Sequence, residues 1–105
     1  MACYNLDDVR KLAKKGALEY MGRRASVDAA ELGYVFDDVI RCLVNLTEDE
    51  FSKTLEYEHG PKLDVYLTRF PRPGGGDNEI DELYVKFALI NGMLTISIAS
   101  FHLQR

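Results

Sequence analysis

Tryptophan is absent from this 105-residue chain, and cysteine (two) and proline (three) are scarce. Cys3 and Cys42 are too few for a disulfide framework and have no metal-ligand spacing, so they are expected as reduced thiols. No apolar run approaches the roughly 20 residues that span a bilayer, and MACYNLDDVRK lacks the hydrophobic segment of a signal peptide. A membrane location is therefore not expected, and the cytoplasm is the default. Metal chemistry is also poorly provided for, because His59 and His102 are far apart and no HxxxH, CxxC or DxD occurs. The nucleotide-binding and hydrolase signatures GxxxxGK[ST], GxGxxG and GxSxG are missing, and the GGGD at 74–77 reads as a flexible turn. No cofactor is implied.

An excess of positive charge is lacking too: 13 Lys and Arg against 17 Asp and Glu leave a formal charge of −4. Taken alone, this argues mildly against bulk attraction to nucleic acid. The charge is uneven, however. Residues 1–30 balance at +2, residues 31–65 at −6, and residues 66–105 at zero, so a basic N-terminal third sits beside an acidic middle.

What is present suffices for one domain over 1–105, with 47% apolar residues for a core and 29% charged residues for solubility. Asn5 can cap a helix in which Leu6, Val9, Leu12 and Ala13 recur at helical spacing, with Arg10, Lys11, Lys14 and Lys15 on its other face. ALEYMGRRA is long enough only for a strand fragment or turn. Ser26 can cap a second helix that stops at Gly33, and a third is expected from about Asp37 with Val39, Ile40, Leu43 and Val44 apolar. Thr47 and Glu50 form a capping box opening a last helical turn.

Beyond residue 52 the period changes to two. KLDVYLTRF alternates Leu63, Val65 and Leu67 against Asp64, Tyr66 and Thr68; ELYVKFALI alternates Leu83, Val85, Phe87 and Leu89 against Tyr84, Lys86 and Ala88. Asn91-Gly92 signals a two-residue type I′ hairpin into MLTISIASF, while FPRPGGGDNEID reads as a mobile hairpin loop. N-terminal helices followed by a twisted antiparallel meander give an α+β fold with the helices on one sheet face.

The second sheet face then holds Tyr84 and Lys86, with Lys53, Tyr66, Arg69 and His102 from neighbouring strands or their ends. Such a basic, aromatic surface suits single-stranded RNA, whose bases stack on Tyr while Lys and Arg meet phosphates. Cleavage asks little more, because the ribose 2′-OH is an internal nucleophile and the protein supplies a proton acceptor, cations and an acid.

These residues carry a family resemblance. AAELGYVFDDVIRCLVNLTEDEFSKT, followed by DVY and ELYVKF, resembles the MqsR-type toxins of bacterial toxin–antitoxin systems, a branch of the RelE-like ribonucleases. The likeness spans about residues 5–99, with its most specific parts at Glu31 to Asp37, Phe51 to Lys53, Asp64-Val65-Tyr66 and Leu83 to Lys86. The resemblance implies a six-stranded RelE-like sheet with three helices and ribosome-independent mRNA cleavage. It also implies neutralisation by a cognate antitoxin with zinc-bearing and DNA-binding domains. It places the family's active lysine on Lys53 and its tyrosine on Tyr84. The family's glutamine is Leu63 here, and a gap-free alignment turns its second lysine into Ala99. Realigning Ser100-Phe101-His102 onto that strand ending puts His102 in the lysine's role, which requires a β-bulge. Lys53, Tyr84 and His102 are then the expected catalytic set, with Lys62, Tyr66, Arg69 and Lys86 as expected RNA contacts. The competing expectation is a divergent, non-catalytic protein-interaction module.

Overall fold

The structure, a computed structural model, describes residues 1–105. Three nine-residue helices come first: α1 (Leu6–Lys14), α2 (Arg23–Glu31) and α3 (Phe36–Val44), with the short strand β1 (Leu18–Tyr20) between α1 and α2. A 3-10 turn at Glu48–Glu50 leads into β2 (Phe51–Leu55), β3 (Leu63–Pro71), β4 (Ile80–Ile90) and β5 (Thr95–Leu103). The strands form one sheet of order β1-β5-β4-β3-β2, five strands rather than the six that the family resemblance implied. Only the pairing of β1 with β5 is parallel.

Each helix starts for an identifiable reason. Asn5 accepts the Asp8 amide at 3.1 Å and caps α1, whose Leu6, Val9, Leu12 and Ala13 are buried as their spacing predicts. The helix α2 begins three residues before the expected cap: Gly22 is its N-cap and Ser26 lies inside it. The buried residues of α2 are Ala25 and Ala29, small enough for the helix to lie close against the sheet. In α3 the Asp38 carboxylate accepts the Val35 amide at 2.9 Å, so an acid one turn in does the capping that Val35 cannot.

One loop expectation fails at Asn91-Gly92. Both residues have positive φ, as a type I′ turn requires, but Met93 at φ 69 extends the left-handed run and strand pairing resumes only at Ile90↔Thr95. The connection is therefore a four-residue loop, closed by Leu94 N–H donating to the Ile90 carbonyl at 3.0 Å. The 70–81 segment is bridged by polar contacts between its two arms. Arg72 is bonded to Glu79 and to the buried Asp81, and its N–H donates to the Glu79 carbonyl at 2.9 Å.

The alternation of β3 also runs opposite to expectation. Tyr66 is 1% exposed and lies in the core, stacked on Phe87 with ring centroids 5.6 Å apart, while Leu67 is 39% exposed on the other face. The polar members of that face are buried because each has partners. Asp64 accepts the Cys3 and Tyr4 amides at 3.0 and 2.9 Å and the Thr54 hydroxyl at 2.5 Å; Thr68 donates to Glu50 at 2.8 Å. Tyr66 is thus a core residue and not the RNA contact expected from its strand position. Its burial pushes the phenol up to about 12.

Asp64 ties the N-terminus, β2 and β3 together with one fully buried side chain. Replacing it with alanine leaves three donors without an acceptor, and the denaturant midpoint should fall by the equivalent of about 3 kcal/mol. Asp64→Asn, which keeps the shape and one acceptor, should fall by less. An unchanged midpoint for Asp64→Ala would refute this role.

Candidate active site on the open face of the sheet

Helices α1 and α2 pack against β5, and the face of the sheet away from the core carries three cross-strand rows. Residues directly opposite in an antiparallel ladder point to the same side, so the register determines who meets whom. The first row runs Lys53, Val65, Lys86, Ser100; the second Leu67, Tyr84, His102; the third Arg69, Glu82. Neighbouring rows lie roughly 6.8 Å apart, two residues of strand rise, and adjacent strands about 4.8 Å.

Two irregularities create these rows. In β2 the register shifts between Phe51 and Lys53, so Phe51 packs edge-on to the buried Tyr66 at 5.6 Å while Lys53 emerges on the open face. In β5 the register shifts opposite Lys86 and Phe87: Phe87 pairs with Ile98 but Lys86 with Ser100, leaving Ala99 as the extra residue. Without that bulge His102 would share the face of Ile98. With it, Phe101 fills the core and His102 lies beside Tyr84, ring centroids 4.9 Å apart and planes within 5°.

Hydrogen bonding and burial decide where this pair carries its protons. His102 Nδ1 lies 2.7 Å from the Leu103 carbonyl oxygen. A carbonyl only accepts, so Nδ1 carries the hydrogen, which selects the tautomer whose lone pair is on Nε2. Burial pushes the Tyr84 phenol above the ordinary tyrosine range, with the neighbouring Tyr57 adding to the shift, so Tyr84 holds its proton through neutral pH. Lys53, Lys86 and Arg69 make no ion pair.

Not every expected residue joins this group. Lys62 is in none of the rows: its ammonium pairs with Glu56 at 2.9 Å on the β2–β3 connection, which holds the ammonium in its charged form. Leu63, at the position of the family's glutamine, is buried and carries no polar chemistry. Tyr57, 54% exposed in the β2–β3 connection, was not legible as a neighbour of Tyr84, because no period applies to a loop. No group of three or more His, Cys, Asp or Glu side chains comes together, and no helix is long and apolar enough to cross a membrane.

A protein-family model described as "Motility quorum-sensing regulator, toxin of MqsA" matches residues 1–102 of the chain. No curated protein matches it.

The stacked pair yields two spectroscopic expectations. The His102 ring protons should resonate upfield under the Tyr84 ring current, and Tyr84→Leu should move them back. The Tyr84 phenolate should form only above the ordinary tyrosine value of about 10 when followed by ultraviolet absorbance. Titration at or below that value would contradict the burial of this phenol.

Proposed function

The chain belongs to the motility quorum-sensing regulator family, toxins of toxin–antitoxin systems, and from that premise we propose that it is a metal-independent endoribonuclease that cleaves mRNA in the cytoplasm. The observation that carries the reading is the Tyr84–His102 pair, a phenol that keeps its proton beside an imidazole whose Nε2 is free to take one. Lys53 and Lys86 stand one row away as unpaired cations.

Single-stranded RNA lies across the open face with its scissile phosphate between the first two rows. His102 Nε2 accepts the 2′-OH proton as the 2′-oxygen attacks phosphorus. Lys53 balances the charge that builds on the non-bridging oxygens, with Lys86 as a further phosphate contact. Tyr84 gives its proton to the departing 5′-oxygen. The bond formed is 2′-O–P and the bond broken is P–O5′, leaving a 2′,3′-cyclic phosphate and a 5′-hydroxyl. His102 ends protonated and Tyr84 deprotonated, so a proton passing between them, directly or through water, resets the site. Their side-by-side packing supports that return. Arg69 holds the strand beyond the second row. A cognate antitoxin is the partner that restrains the activity.

Leu63 and Ala99 favour a second reading, a member that kept the fold and the antitoxin surface but not catalysis. Cleavage of single-stranded RNA in excess EDTA separates the two. The nuclease reading expects products with cyclic phosphate ends and no cut where the 2′-OH is replaced by hydrogen. Lys53→Ala should lower the rate by about 10²–10³-fold, and Tyr84→Phe and His102→Ala by about 10²–10⁴-fold. The raised pKa of Tyr84 predicts that loss of its proton does not limit the rate below the ordinary tyrosine range. No cleavage at any pH, with antitoxin binding intact, would establish the non-catalytic reading.

A further inference from the structure

Away from the catalytic rows, a crevice of about 560 Å³ opens between α3 and the end of β3. It is lined by Arg41, Asn45 and the segment from Arg69 to Gly74, and no acidic residue lines it. In a chain of net charge −4, three arginines lining one crevice are unexpected.

Two of the three are held in place by carboxylates. The Arg41 Nη2 donates to Asp38 at 2.6 Å, and Arg72 is held by Asp81 at 2.8 Å and Glu79 at 3.1 Å. The Asp38 and Asp81 side chains are only 11% and 0% exposed, whereas those of Arg41 and Arg72 are 62% and 47% exposed. Asp38 and Asp81 therefore lie behind the guanidinium groups, whereas Glu79, 50% exposed, meets Arg72 at the surface. Arg69 has no intramolecular partner at all. Orienting two forks in advance lowers the ordering cost of binding an oxyanion, and the free third can close on it.

The crevice shares Arg69 with the open face. The ladder between β2 and β3 ends at Phe51↔Tyr66, so β3 from Leu67 to Pro71 has no strand neighbour on that side. Arg69 stands at this free edge, one row beyond Leu67 and Tyr84. A chain leaving the second row passes Arg69 and turns over the edge toward Arg41.

We propose that the crevice formed by Arg41, Asn45, Arg69 and Arg72 is a phosphate subsite that holds a backbone phosphate of the bound RNA, flanking the scissile one. The identity of the ligand as RNA rests on the proposed function; the anion site itself does not. Two measurements on the full chain keep these apart. In the first, inorganic phosphate is titrated while the arginine Nε–Hε resonances are followed by NMR. The resonances of Arg41 and Arg69 should shift together and saturate; no shift overturns the site.

In the second, a single-stranded RNA carrying 2′-O-methyl groups, which cannot be cut, is bound at several salt concentrations. Loss of one phosphate contact reduces the slope of log affinity against log salt by about 0.7. Arg69→Gln, which breaks no internal bond, and Arg41→Gln should each weaken binding by about 3–10-fold and lower the slope toward that amount. If phosphate shifts the resonances but both variants keep the wild-type slope, the RNA assignment fails. A loss confined to antitoxin binding overturns it in favour of an acidic protein partner. Because the RNA cannot be cleaved, a subsite confirmed in a protein without nuclease activity leaves this inference standing and the catalytic reading refuted.

Discussion

One surplus residue in β5 governs what the open face can do. A strand shows alternate residues to opposite sides, so an extra residue inverts every side chain that follows it. Ala99 is that residue. It sends Phe101 inward, where the ring is fully buried and packs against Tyr34 at 5.2 Å, and sends His102 outward onto Tyr84. Core packing and site assembly are therefore one event. The apolar demand of Phe101 for the interior keeps the bulge in place, and the bulge delivers the imidazole.

Buried carboxylates do the corresponding work at the other end of the sheet. Asp64 gathers the N-terminal amides and Thr54 next to Lys53, so the strand that presents the cation is tied to the chain's start. Asp81 joins the Tyr34 hydroxyl at 2.9 Å to Arg72, which connects the core to the hairpin forming one wall of the basic crevice. Each acid is buried with its hydrogen bonds made, the condition under which a buried charge is tolerated. The net charge of −4 therefore misleads about the surface, since part of the negative charge is spent inside or behind arginines.

Helical and strand regions were legible wherever a period existed. The positions of α1 and α3 followed from apolar spacing, and the faces of β4 from strict alternation, because Leu83, Val85 and Phe87 are all buried while Tyr84 and Lys86 are half-buried opposite. Illegible were the places where polarity and burial part company. Asp64, Tyr66 and Thr68 read as the wet face of β3, yet each finds its partner in a residue remote in sequence or on a neighbouring element. The Ser26 cap and the two-residue turn failed for a related reason: local signals were overruled by where α2 meets the sheet and where the ladder of β4 and β5 resumes.

By itself the sequence determined the α+β class, the order of helices before strands, and the pairing of Tyr84 with Lys86 on one face, because these depend on periods of 3.6 and two that neighbours along the chain set. The motifs of residues 31–86 also carried the family. Tertiary structure alone decided the inversion of β3, the partnership of His102 with Tyr84, and the convergence of Arg41 with Arg69. Those depend on register between strands and on contacts across 18 to 28 positions of chain, which no local period encodes.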